Sequence, residues 1–224
     1  MVMEYFYDKL LNIVPDKPIL IGRDKNVKSS VLVPFVNIDG VEYLLLEKRA
    51  PGIRQGGEIC FPGGMIDESD KTPKTTALRE TADELGIPEE KIQIDAHFGY
   101  LVANMGATLD VFIGRLKIKS LSELAPNGEE VDRICPVPFS FFVKTKPDPY
   151  ILETEIKSSY YNESGEKKVL FPAKELGLPE KYHLSWPIKK TTVYVYNYDE
   201  IVIWGLTAEI IREITKSLEK GGIK

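Results

Sequence analysis

Hydrophobic and polar positions follow two periods along this chain, and their order predicts a protein of mixed α/β class. Two apolar runs, Val31–Ile38 and Val41–Leu46, are separated by Asp39-Gly40, a strong hairpin signal between β-rich segments. Four more stretches have strand character: Ile92–Val102, Leu109–Ile118, Val131–Val137 and Thr192–Tyr196. The chain therefore contains enough strand segments for a sizeable sheet.

Other segments have apolar residues at helical spacing. A short amphipathic helix is predicted over Glu4–Val14, and a helical turn over Pro138–Val143. Thr72 precedes a proline as a helix N-cap does, and Gly86 ends the helix that follows. From Ile201 onward the apolar residues predict a closing helix of about four turns.

Strands interrupted by helices in this order predict a mixed sheet covered by helices on both faces. We expect a single domain over residues 1–224, with one short helix at its start and one helix at its end. Residues 144–190 are polar, contain several prolines and are expected to form an irregular insertion. Whether this insertion caps a pocket or forms an interface is left open by the sequence.

Composition excludes several classes of protein. With 43% hydrophobic and 28% charged residues among 224, the chain suits a globular core. The net charge of −5 gives no electrostatic case for binding nucleic acid, and no apolar run is long enough to span a membrane. Cys60 and Cys135 are too few for a disulfide framework, and residues 1–14 lack the basic start and apolar stretch expected of a signal peptide. We therefore expect a cytoplasmic protein.

The segment from Gly63 to Ile87 carries the candidate chemistry. At about 100° per residue, an apolar stripe forms on the helix from Leu78, Ala82 and Leu85. The same projection places three carboxylates on the opposite side: Glu80, Asp83 and Glu84. Such a cluster is repulsive unless a cation lies within it, and Mg²⁺ or Mn²⁺ is the natural partner of carboxylate oxygens. The alternative is an ordinary solvated helix face.

The loop before this helix has features that suit a ligand. Gly63-Gly64 would let the backbone approach a bound group and present a carbonyl to the same metal. Arg79 is expected to pair with Asp70 and so hold the loop against the helix.

This segment resembles the signature of the Nudix hydrolases. The matching positions are Gly64, Asp70, Arg79, Glu80, Asp83, Glu84 and Gly86. It departs from the family pattern in three ways. Asp70 and Asp83 replace glutamates, Thr81 stands where a bulky aliphatic residue is common, and the interval from Asp70 to Arg79 is one residue longer.

The longer interval is similar to the coenzyme A pyrophosphatase branch of that superfamily. Further segments resembling this branch are Leu45–Ala50 with Arg54 and Gly57, Phe61–Gly64, and Val202–Ala208. Glu47 replaces a threonine of the branch motif, and the interval from Arg54 to Gly57 is one residue short.

The resemblance implies an α/β/α sandwich of Nudix type and hydrolysis of a diphosphate with Mg²⁺ or Mn²⁺. It implies metal ligation by Glu80, Asp83 and Glu84, with the carbonyl of Gly63 or Gly64 as an extra ligand, and a catalytic role for Arg79. The general base is left open between Glu84 and Glu130. For Glu130, an exposed loop acid without function is the alternative.

Two arginines flank the glycine-rich loop that leads into this segment. Arg49 and Arg54 are candidates for binding substrate phosphate together with Gly63 and Gly64, because an arginine fork suits a phosphate. Structural ion pairing is the alternative for each arginine.

Three functions are carried forward. The first is hydrolysis of coenzyme A or its thioesters to 4′-phosphopantetheine and adenosine 3′,5′-bisphosphate. The second is hydrolysis of another small-molecule diphosphate: ADP-ribose, a nucleotide sugar or a nucleoside triphosphate. The third is a non-catalytic module that senses a nucleotide. A homodimer is an option, since members of the family are often dimers.

Overall fold

The computed structural model describes residues 13–15, 19–103 and 106–222. Most of the predicted N-terminal helix Glu4–Val14 lies outside these residues. The described strands are β1 (Val27–Ile38), β2 (Val41–Arg49), β3 (Ile59–Cys60), β4 (Gly63–Met65), β5 (Ile92–Ala103), β6 (Ala107–Leu116), β7 (Val131–Pro138), β8 (Asp148–Ile156), β9 (Ser159–Tyr161), β10 (Lys167–Val169), β11 (Trp186–Tyr198) and β12 (Ile201–Trp204). The described α-helices are α1 (Pro73–Leu85), α2 (Phe139–Lys144) and α3 (Gly205–Lys220).

The predicted hairpin joins β1 to β2. Ile38 pairs with Val41, and the two residues between them, Asp39 and Gly40, have φ values of 51° and 81°. Positive φ at both central positions defines the turn whose twist matches that of paired strands. The hairpin prediction is confirmed.

The main sheet is mixed. Its strand order is β3-β2-β1-β6-β5, with β4 also paired to β1 and β7 also paired to β2. The β1–β6 pair is parallel, and the other pairs in this sheet are antiparallel. A parallel pair needs a long crossover connection, which here includes α1.

Helices cover both faces of this sheet. One face packs against α1 through a cluster that includes Leu32, Val36, Leu45, Ala77 and Leu85. The other face packs against α3 through a cluster that includes Val33, Leu44, Leu46, Ile211 and Ile214. Neighbouring residues of β1 and β2 thus alternate between two cores, as strand geometry requires. The predicted α/β/α sandwich is confirmed. Within the described ranges, no helix is both long enough and apolar enough to cross a bilayer.

The expectation of an irregular segment over residues 144–190 is wrong for much of its length. β8 pairs antiparallel with β11, from Asp148 opposite Val195 to Ile156 opposite Trp186, and β9 pairs with β10. Every residue of β8 is exposed. Because the strand has no buried face, its sequence lacks the alternation of apolar and polar residues from which a half-buried strand is predicted. Backbone pairing across a long chain separation sets these strands. The division of the chain into domains stays a prediction.

The start of the closing helix was also predicted wrongly. Residues Ile201–Trp204 form β12, which pairs with β11 and places Tyr198 opposite Ile201. Asp199 has a φ of 49° in the turn between these strands, and Gly205 has a φ of 64° where the chain leaves β12. One turn therefore precedes the short strand β12, and the chain turns again at Gly205 into α3, which is sixteen residues long and matches the expected four turns.

Both ends of α1 are fixed as predicted. The Thr72 hydroxyl accepts a hydrogen bond from the Thr75 amide at 3.2 Å, and Pro73 occupies the first helical turn. Gly86 takes the left-handed conformation with a φ of 62°. A Cβ built on Gly86 would overlap the Ala125 carbonyl oxygen, so glycine is needed there for space as well as for conformation.

We predict that Gly86→Ala destabilises the protein more than Gly177→Ala. Gly177 has a similar φ of 69°, but a Cβ on it would meet nothing within 4 Å. Gly177→Ala should cost about 1–2 kcal/mol for the left-handed conformation alone. Gly86→Ala should cost roughly 1–3 kcal/mol more for the contact with Ala125. Urea unfolding of both variants measures the difference, and equal losses would contradict the packing argument.

Candidate active site

The projected apolar stripe of α1 does face the core, because Leu85 is buried and Leu78 and Ala82 pack against the same cluster, but the buried face is wider than projected. Its buried residues are Thr76, Ala77, Thr81, Glu84 and Leu85. The helical projection places Glu84 opposite the apolar stripe, but in the structure only 3% of Glu84 is exposed. Thr81 tolerates burial because its hydroxyl donates to the Ala77 carbonyl at 2.6 Å. The helix therefore faces the sheet with a carboxylate on its inner side, which excludes an ordinary solvated face for Glu84.

Glu84 is anchored to the glycine-rich strand. The Gly63 amide donates to Glu84 Oε2 at 2.8 Å. Gly63 lies opposite Val31 in the β1–β4 pair with a φ of 147°, and a Cβ there would collide with the Ser30 carbonyl oxygen. Only glycine lets β4 lie this close to β1 and still present its amide to the helix.

Glu80 lies one helical turn away, against the second glycine of the pair. A Cβ on Gly64 would come within 2.5 Å of Glu80 Cδ. The Glu80 side chain is 19% exposed, and its Oε1 lies 2.8 Å from Arg79 Nη2. Burial raises the pKa of Glu80, and the Arg79 charge opposes that rise. The two glycines thus admit both carboxylates to the same narrow space.

The predicted pairing of Arg79 with Asp70 is confirmed. Arg79 Nε lies 3.2 Å from Asp70 Oδ1, and Arg79 Nη2 lies 2.9 Å from Asp70 Oδ2. These bonds, with one from the Thr76 hydroxyl at 3.0 Å, lower the pKa of Asp70 to about 2. Arg79 thereby ties the loop to α1 and also holds Glu80.

Asp83 lies apart from the other two candidate ligands. Its side chain is 64% exposed, and its Oδ2 is 4.0 Å from Arg79 Nη1. The structure therefore brings Glu80 and Glu84 together and leaves Asp83 at the edge.

Glu47 is a buried acid of this site that the sequence pattern does not mark as a candidate site residue. It lies in β2 opposite Cys60 of β3, is 0% exposed, and accepts a hydrogen bond from Cys60 Sγ at 3.6 Å. Burial raises the pKa of Glu47. Burial, and next the charge of Glu47, raises the pKa of Glu84. The available signal was an acid two residues after Leu45, at the next inward position of the strand.

Two of the predicted site residues, Arg49 and Glu130, lie near Glu47 and form the rim of the site. Arg49 follows Glu47 on the same face of β2, and its charge opposes the rise in pKa of both Glu47 and Glu84. Glu130 is exposed, yet its charge adds to the pKa rise of Glu47 and Glu80. Arg54 is exposed and contributes its carbonyl, which accepts from Arg49 Nε at 3.1 Å.

The donor set suits a hard divalent cation. Carboxylate oxygens are the ligands that Mg²⁺ and Mn²⁺ prefer, and a cation would offset the repulsion between Glu47, Glu80 and Glu84. In the part of the chain described, no three or more His, Cys, Asp or Glu side chains converge with ligand geometry. Glu47, Glu80 and Glu84 influence one another electrostatically, but in the described conformation they do not form a ready-made site for one ion.

Comparison with known proteins identifies the family. The NUDIX domain family matches residues 27–149, which contain the sheet and helix just described. The chain belongs to the Nudix family, whose members named among its relatives are hydrolases.

Three relatives illustrate how far this similarity extends. The chain is 30% identical to an uncharacterized Nudix hydrolase, NudL, of Photorhabdus laumondii, over 88% of this chain and 87% of that protein. It is 28% identical to the mitochondrial coenzyme A diphosphatase NUDT8 of Mus musculus, over 88% and 80%. It is 34% identical to Nudix hydrolase 3 of Caenorhabditis elegans, but that match covers 63% of this chain and 60% of the nematode protein. The similarity to the coenzyme A diphosphatase branch is thereby confirmed.

We predict that Asp70→Asn lowers the melting temperature more than Asp95→Asn does at neutral pH. Asp95 makes a comparable bidentate pair with Arg115, but on the surface, where 64% of the arginine side chain is exposed. Because folding depresses the Asp70 pKa from 3.8 to about 2, its stabilising effect is present above pH 3.8 and lost as the pH falls toward 2.

Thermal melts across this pH range provide the measurement. The gap between wild type and Asp70→Asn should narrow below about pH 4. A gap that widens on acidification, or an equal loss in Asp95→Asn, would contradict the role given to Asp70.

Proposed function

We propose that this protein hydrolyses the diphosphate linkage of coenzyme A or an acyl-coenzyme A, with Mg²⁺ or Mn²⁺, to 4′-phosphopantetheine and adenosine 3′,5′-bisphosphate. The observation that carries the reaction class is the pair of α1 carboxylates, Glu80 and Glu84, held against Gly64 and Gly63 of β4. The substrate rests on the upstream motif from Leu45 to Gly64 and on the mouse coenzyme A diphosphatase among the relatives.

Charge explains why this arrangement suits a diphosphate only with a cation. Two linked phosphates are strongly negative, and Glu47, Glu80 and Glu84 would repel them whenever these acids are ionised. When bound, a divalent ion would neutralise phosphate oxygens and favour formation of a hydroxide nucleophile. Glu80 and Glu84 are the residues proposed to hold it, and Asp83 would contribute through water because it lies at the exposed edge.

The other residues of the site are assigned by position. Water adds its oxygen to one phosphorus, the bridging oxygen leaves with the other phosphate, and a carboxylate accepts the proton of the water. Glu84 and Glu130 are the candidates for this base: Glu84 is buried inside the site, and Glu130 lies at its rim. Arg49 is the residue proposed to bind phosphate at the same rim, together with Arg54, whose carbonyl accepts from Arg49 Nε.

The first test is a substrate panel. Purified protein with Mg²⁺ should convert coenzyme A to the two products, separable by chromatography, with a higher kcat/KM than for ADP-ribose, a nucleotide sugar or a nucleoside triphosphate. Intact coenzyme A beside consumption of another diphosphate would overturn the substrate assignment and leave the reaction class standing. No turnover of any of them would favour the nucleotide-sensing alternative.

We further predict that Glu84→Gln lowers kcat at least about 10²-fold. The change keeps the shape of the side chain, including an oxygen for the Gly63 amide, and removes a charge buried beside Glu47. The melting temperature should therefore not fall. Glu89→Gln, an exposed acid beyond the end of α1, is the control and should keep wild-type kcat. An undiminished rate in Glu84→Gln would contradict the site.

A further inference from the structure

We propose that Glu47 is an additional ligand of the divalent cation at this site, supplied by the sheet opposite the two carboxylates of α1. The inference deepens the proposed function and rests on it, since it concerns the same ion. It assigns a role to a side chain outside the loop and helix from Gly63 to Ile87.

The first argument is the state of the Glu47 carboxylate. The side chain is fully buried, and Oε2 has no hydrogen-bond partner among the described residues. The other oxygen, Oε1, has only the thiol of Cys60 at 3.6 Å, and a thiol is a weak donor. A buried carboxylate without partners carries a large desolvation cost, which a bound cation would offset.

The second argument is where that carboxylate lies. Leu45, Glu47 and Arg49 are alternate residues of β2, so their side chains lie on the same face of the strand. This face is turned toward α1, because Leu45 packs in the same cluster as Ala77 and Leu85 of α1. Glu47 therefore lies beneath the buried side of α1, within Coulombic range of Glu84. An ion held by Glu80 and Glu84 would therefore also experience the charge of this carboxylate.

The third argument is that the surroundings provide no adequate counter-charge. Among the described residues, Arg49 is the cation whose charge has a marked effect on both Glu47 and Glu84, and its Nε donates to the Arg54 carbonyl. Lys48 points to the other face of β2, where it pairs with Asp132 at 3.4 Å. Acids outnumber bases around this buried point, as expected where a cation completes the charge balance.

The test is metal binding by the 224-residue chain without substrate. Isothermal titration with Mg²⁺ and with Mn²⁺ should give about tenfold weaker affinity for Glu47→Gln than for wild type. Saturating metal should also raise the melting temperature of wild type more than that of Glu47→Gln. Glu47→Asp keeps the charge but reaches one methylene less far, and its affinity should fall between the two.

Two control variants separate ligation from other effects. Asp132→Asn removes an acid from the opposite face of β2, and Cys60→Ala removes the hydrogen-bond partner of Glu47; both should bind metal as wild type does. Equal affinity in wild type, Glu47→Gln and Glu47→Asp would overturn the assignment. So would an equal loss in Asp132→Asn, since that would be a general charge effect. Intact coenzyme A despite normal metal binding would instead contradict the proposed function alone.

Discussion

Carboxylates at Glu47 and Glu84 are buried between α1 and the sheet, although burial raises the pKa of both and the charge of Glu47 raises that of Glu84 further. Burial of like charges is costly, and it persists in a fold only where the rest of the structure enforces it. Here the enforcement comes from two cores on opposite faces of the sheet, which fix α1 against β1 and β2. The free energy of that packing holds the acids where a hard cation and a diphosphate would meet.

The backbone around the acids is adapted to the same end. Gly63 and Gly64 bring β4 close enough to give an amide to Glu84 and room to Glu80. Arg79 contacts both Asp70 and Glu80, so it connects the loop before α1 to the helix. Glycine is required at positions 63 and 64 by steric contacts, because a methyl group at either position would displace a neighbour.

Structural features that depend on short-range interactions could be predicted from the sequence. The turn at Asp39-Gly40, the cap at Thr72 and the Arg79–Asp70 pair all depend on residues close in sequence. A helical projection gives relative angles but not which side meets the sheet, so Glu84 was placed on the wrong face. Partners distant in sequence decide the rest: the pairing of β8 with β11 and the position of Glu47 under α1 exist only in the folded chain.

The direct test of a cation site at these acids is a titration with Mn²⁺, followed by electron paramagnetic resonance of the free ion. The account predicts that the free-ion signal falls as the 224-residue chain binds Mn²⁺, and that excess Mg²⁺ restores it, because both ions bind the same carboxylate oxygens. A free-ion signal that follows the protein-free buffer over the whole titration would contradict it.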